Sequence, residues 1–287
     1  MSPTESPLIP RWAAAQLTWI GRQLLLVPEA VLLLALLCLH SVLGGPPLLA
    51  LLGLLITLFF LARASLLALG RSALASADYE RAGALAQASI TLYPGSADAH
   101  ALAGTVHLAR GEASASVEAF RRAVAFFPLQ SELHSALSAA LLDSGRQAEA
   151  RAEARRALLI NPFSAAAYLH LASAEEQLGA TPEAVEATLR AGLQLPAPPA
   201  DEATLRCTLA ALLLSSGRNA EAQLALMGVA RLLDRCPAPQ RAGLHFYLGE
   251  LLRVGGDSEA ARGHFRASET LDPHGRHAAA AWRAARS

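Results

Sequence analysis

Residues 94–128, PGSADAHALAGTVHLARGEASASVEAFRRAVAFFP, run from one proline to the next over a step of 34 positions. The same step leads from Pro128 to Pro162 and on to Pro196. Gly111, Gly145 and Gly179 keep it, and Gly217 and Gly256 follow. A fixed period of this length closed by proline marks a helix–turn–helix unit repeated along the chain. Proline ends the second helix because it lacks the N–H that an interior turn donates. One such pair of helices cannot bury its apolar face alone, so successive pairs must stack.

Counted from Ala97, Ser131, Ala165, Ala203 and Ala242, the repeats share a register. Position 4 holds His100, His134, Tyr168 and His245; position 8 holds Gly104, Ser138, Ala172, Ala210 and Gly249. Position 20 holds Ser116, Ala150, Ala184, Ala222 and Ala261, and Phe120 and Phe265 stand at position 24. Small residues at 8 and 20 let two antiparallel helices approach, and large ones at 4, 11 and 24 fill the space beside them. The departures are Ser116 at 20, Glu175 at 11 and Asp234 in place of a proline. Extra residues fall at 199–202 and 237–241, which places them at repeat junctions.

These residues resemble the tetratricopeptide repeat family over residues 63–275. The resemblance implies an all-α fold, a right-handed α-solenoid of about six helix pairs. Their expected bounds are 63–96, 97–130, 131–164, 165–198, 203–236 and 242–275, with 276–287 as a capping segment whose Trp282 packs back on the last pair. It also implies a protein partner held on a concave face lined by the first helices. The candidate groove residues are Asp98, Thr105, Glu132, Ser135, Asp143, Ser173, Glu176, Gln177, Thr204, Phe246, Glu250 and Arg253. Members that hold a C-terminal carboxylate use Lys and Asn in such slots. This chain has no Lys, and Asn161 and Asn219 lie outside the groove, so that mode is not expected.

The front of the chain is different. Leu24 to Leu43 is a run of twenty residues interrupted by Pro28, Glu29 and His40, and Leu48 to Ala62 carries no charge. Extended past Arg63 to Leu69, the second run is also long enough for a bilayer, which takes about 20 residues. Gly44-Gly45-Pro46-Pro47 between them is a strong turn signal. The expectation is a membrane hairpin over 24–69 (24–43 and 48–69), preceded by an interfacial helix in 1–23 anchored by Trp12 and Trp19. A signal peptide, a buried soluble hairpin and a re-entrant loop are the alternatives, and the doubled length favours two crossings. Arg11, Arg22, Arg63 and Arg71 flank the hairpin while the turn is uncharged, which puts both flanks on the cytoplasmic side of an inner membrane. Residues 63–76 satisfy both the apolar run and the repeat count, so the second apolar helix is expected to become the first helix of the array. Two N-terminal apolar helices before such repeats are also similar to the bacterial HemY-type membrane proteins, with a shorter turn here.

Composition limits the chemistry. Basic and acidic residues balance at 24 each, and every basic residue is Arg. No basic stripe for phosphates is expected, and no nucleic-acid partner. No phosphate loop, nucleophile elbow, zinc-protease helix or dinucleotide fingerprint occurs. His100, His134, His107 and His245 fall in packing slots, and His264, His274 and His277 lack a carboxylate or Cys to complete a metal set. Cys207 and Cys236 read as lone thiols in a reducing compartment. The reading is a non-enzymatic, membrane-anchored scaffold with a protein partner and the lipid bilayer as its contacts, and with no cofactor or small-molecule substrate. The alternative is a structural subunit of a membrane machine, whose hairpin contacts other membrane helices through Gly44, Gly45, Gly53 and Glu29.

Overall fold

The computed structural model describes residues 28–42 and 47–286, and among them there is no strand. The expected interfacial helix and the Gly-Gly-Pro turn lie outside the described residues. The chain divides into a unit ending at Ser65 and a unit from Leu66 onward. In the first, α1 covers Pro28–Val42 and α2 begins at Pro47, running to Ala75. α1 has 15 residues, about 22 Å at 1.5 Å per residue. Among the described residues α2, with 29 residues, is the one helix long and apolar enough to cross a membrane, which takes roughly 30 Å of helix.

The second unit is a stack of helix pairs. α3 is Tyr79–Leu92, α4 Ala97–Arg110, α5 Ala113–Phe126, α6 Ser131–Asp143 and α7 Gln147–Ile160. α8 is Ala165–Gln177, α9 Pro182–Leu193, α10 Pro199–Ser215, α11 Asn219–Leu226 and α12 Val229–Leu233. α13 is Ala238–Val254, α14 Ser258–Leu271 and α15 Ala278–Ala284. The first helices α4, α6, α8, α10 and α13 each contact the next in the series, so they form one continuous layer.

Within a pair, position 8 sets the spacing. A Cβ at Gly104 would meet the Phe120 ring at 2.9 Å, and one at Gly249 would meet Phe265 at 2.7 Å. Phe120 and Phe265 are fully buried there. Where serine replaces one of the small residues it bonds across the same gap. Ser116 Oγ donates to the Gly104 carbonyl at 2.8 Å, and Ser138 Oγ donates to the Ala150 carbonyl at 2.8 Å. Ser116 therefore keeps the close approach and satisfies its own hydroxyl in the buried interface. Position 4 is bonded too. The Nε2 atoms of His100 and His134 lie 2.9 Å from the carbonyls of Pro94 and Pro128, the prolines that end the preceding pairs.

The extra residues at 199–202 and 237–241 lie at the junctions, where Pro199 and Ala238 start α10 and α13 with an added turn. Two expectations change. The second helix of the 203–236 repeat is broken into α11 and α12 at Gly228, whose φ is +84°. Trp282 does not pack back, being 50% exposed under the Arg286 guanidinium, whereas Ala281 and Ala285 are buried, Ala285 against Phe265 and Ala261.

The turn inside each pair has one conformation. Gly111, Gly145, Gly179, Gly217 and Gly256 all take φ between +73° and +87° at position 15. The residue after it bonds back to the last turn of the first helix, as Glu112 N–H does to the His107 carbonyl at 2.8 Å. In the first pair this slot is Ala77, at φ +61°, with Asp78 N–H on the Ala73 carbonyl at 2.9 Å. A side chain in left-handed backbone costs about 1–2 kcal/mol. Ala77→Gly is thus expected to stabilise the chain by about 1 kcal/mol, read as a rise in thermal midpoint. Gly104→Leu is expected to cost about 1–3 kcal/mol by overpacking Phe120, read as a fall in the same midpoint.

Candidate functional site

The first-helix layer carries all twelve candidate groove residues. Several are spent on their own neighbours. Thr105 and Thr204 donate their hydroxyls to the Ala101 and Ala200 carbonyls one turn back, at 2.9 and 2.7 Å. Asp98 pairs with Arg71 at 3.0 Å, and Glu250 pairs with Arg253 at 2.6 Å, all four exposed or partly so. Ser135 is buried, its Oγ 3.1 Å from His170 Nδ1. Ser173 is partly buried, while Glu132, Glu176 and Gln177 are exposed.

The remaining two, Asp143 and Phe246, are contacted by the chain itself. After α14 the segment Asp272–His277 turns back toward the first three pairs. The Tyr79 hydroxyl, at the start of α3, donates to buried Asp272 Oδ2. Arg276 N–H donates to the Ala109 carbonyl at the end of α4, at 2.8 Å. The Arg276 guanidinium bonds Asp143 at the end of α6. His277 stacks on Phe246 of α13, with centroids 4.7 Å apart and planes 18° apart. Beside this closure lies a depression of about 610 Å³, lined by Asp78, Tyr79, Glu80, Arg110 and His274 among others.

The repeat pattern does not reveal these contacts. It places His274 and His277 in a loose late cluster and gives Tyr79 and Asp272 no role. The usable signal is the pair Pro273 and Gly275, which stop α14 and leave a short non-helical connection before α15. His264 instead meets His245, with Nδ1 atoms 2.9 Å apart. Among the described residues no group of three or more His, Cys, Asp or Glu is placed to hold a metal ion.

Burial dominates the electrostatics. It raises the Tyr79 hydroxyl well above its usual value, with Asp272 adding to the effect. It raises the Cys207 thiol to about 12, which makes it a poor nucleophile. It lowers His170 to about 4 and His277 to about 4, the latter helped by the Arg276 charge. Arg276 Nε donates to His277 Nε2 at 3.0 Å, which needs a neutral imidazole. His245 and His264 are lowered too, by burial first.

The sign of the pH effect follows. An unfolded chain takes up these protons near 6.5, whereas the folded one holds His170 and His277 neutral down to about 4. Stability is then complete above the unfolded value and falls as pH drops from about 6.5 toward 4. The thermal midpoint is expected to be flat from about pH 7 to 8 and to decline through that window, with a shallower decline in His170→Gln. A midpoint constant from about pH 7 to 4.5 would contradict the burial of these rings.

Comparison with known proteins bears on the fold. A family model described as "Tetratricopeptide repeat" matches residues 67–131, 136–202 and 207–276. The curated proteins contain no match. Among solved structures, the thermophilic repeat protein TTC0263 of Thermus thermophilus is 24% identical, with TM-score 0.54, over 65% of this chain and 98% of that one. PilF of Pseudomonas aeruginosa is 20% identical, with TM-score 0.52, over 75% of this chain and 94% of that one. PilW, described as a type IV pilus biogenesis factor, is 17% identical, with TM-score 0.53, over 77% and 98%. At these identities the likeness is one of fold. The family model spans most of the chain in three consecutive matches that follow the helix pairs, and the chain belongs to the tetratricopeptide repeat family.

Proposed function

We propose that the chain is a membrane-anchored scaffold, whose N-terminal apolar segments hold it at the bilayer while the repeat array takes a protein segment on its first-helix face. Residues 24–69 are the anchor in this reading, as a hairpin that spans or re-enters, and 63–275 are the array. The observation that carries the anchor is α2. Leu48, Leu51, Leu54, Leu55, Leu58 and Leu61 are each more than half exposed to solvent. Leaving a leucine in water instead of burying it forgoes about 1.5–3 kcal/mol, and contiguous apolar surface of this kind marks a membrane or protein contact. Repeat arrays of this family bind proteins through their extended faces, and that general property supports the second half of the reading. The arginine distribution supports a cytoplasmic array at an inner membrane.

The test is fractionation with thiol labelling. The protein is expected in the membrane fraction after carbonate washing. A Gln147→Cys variant is expected to react with an impermeant maleimide only after the cells are opened. Release by carbonate would remove the anchor from the reading, and labelling in intact cells would reverse the side.

A further inference from the structure

Asp272–His277 meets the first-helix layer as a ligand would. It offers one main-chain bond to Ala109, one guanidinium to Asp143 and one ring to Phe246, each to a different helix of the layer. Main-chain pairing, a charge-assisted bond and ring stacking are the means by which extended peptides are recognised. The segment is not a helix, because Pro273 and Gly275 break it. Asp143 and Phe246 are two of the positions that the sequence assigns to partner binding, so the chain fills part of its own groove.

Beyond the buried bond between Tyr79 and Asp272, the fastening is light. The Arg276 and Asp143 side chains are 34% and 35% exposed, and an ion pair so placed holds weakly. The contacts persist because the segment is tethered, which gives it an effective concentration on the order of millimolar. A separate chain that offers the same groups, and more, displaces it. Glu176 lies near the equivalent end of the next first helix, exposed and in no ion pair among the described residues. It extends the negative charge beyond Asp143, where Arg276 does not reach it, and so favours a cationic visitor.

We propose that Asp272–His277 is a strap occupying the groove, and that the partner which takes its place is an extended protein segment presenting an arginine to Asp143. The inference rests on the groove being the partner surface. It names the partner's chemistry and makes the resting state of the groove a closed one.

The experiment uses the full chain in detergent micelles and a fluorescent peptide of residues 270–279, TLDPHGRHAA. Weak binding is expected to the unaltered chain. Arg276→Gln should tighten it on the order of tenfold, because the tethered competitor loses its hold on Asp143. Asp143→Asn added to that variant should remove the gain, and a peptide with Gln in place of its Arg should bind neither. In the unaltered chain, saturating peptide should speed hydrogen exchange at the Arg276 amide, and this readout stands should Arg276→Gln misfold. Equal affinity with and without Arg276, a gain that survives Asp143→Asn, or no binding together with unchanged exchange overturns the strap. A partner recovered on the membrane-bound chain and indifferent to Asp143→Asn also overturns it, yet leaves the scaffold reading standing. Loss of the chain from washed membranes does the reverse.

Discussion

The array depends on one close approach, the gap between position 8 of a first helix and position 24 of the second. At Gly104 and Gly249 an aromatic ring fills that gap so fully that a single added carbon would overlap it. The ring then becomes core, since Phe120 and Phe265 are 2% and 1% exposed. Burying a phenyl side chain contributes about 1.5–3 kcal/mol. The glycine that permits it costs about 1 kcal/mol of helix propensity. The exchange favours the pair. Where the ring is missing, as at Ala154, the partner is Ser138 rather than glycine, and its hydroxyl bridges to the Ala150 carbonyl instead. The two devices also occur together, since Ser116 bonds the Gly104 carbonyl in the pair that holds the Phe120 ring.

The period, the helix pairing and the turn glycines are legible because each is written by residues that backbone geometry requires. Proline cannot continue a helix, and a left-handed turn favours glycine. The sequence decides less where geometry leaves a choice. Four extra residues before Ala203 can form a loop or another helical turn, and the acidic first turn, Asp201 and Glu202, favours the helix. Gly228 inside a second helix can be tolerated or can break it. Here it breaks the helix, and the Arg206 guanidinium reaches the freed carbonyl of Met227 at 3.5 Å. The size of Trp282 suggests burial, but the small residues Ala281 and Ala285 allow α15 to lie close and turn the indole outward.

The groove is half legible for a related reason. Register alone fixes which side chains line the first-helix face. It is silent on which of them the chain then uses. Thr105 and Thr204 return to their own helix, Asp98 and Glu250 find arginines within reach, and Ser135 goes to His170. The contact between Tyr79 and Asp272 joins residues 193 positions apart, a distance at which no local pattern carries information.

That long contact changes the energetics of the array. An open solenoid is stabilised by neighbour terms alone, and its two ends are its weakest parts. Tying α3 to the end of α14 gives both end pairs a second neighbour. In a random chain, bringing such distant residues together would cost loop-closure entropy that rises as the logarithm of the length. Here the intervening helices have already fixed the path, so only a short non-helical segment is ordered. The tie has two parts of unequal strength. The Tyr79 hydroxyl bonds Asp272 where both are buried, and a hydrogen bond shielded from water is the stronger kind. The Arg276–Asp143 pair is partly open to solvent, and a pair so placed contributes about 1 kcal/mol or less. An incoming segment therefore meets the weak part of the tie on the first-helix face, while the buried bond keeps the two end pairs together.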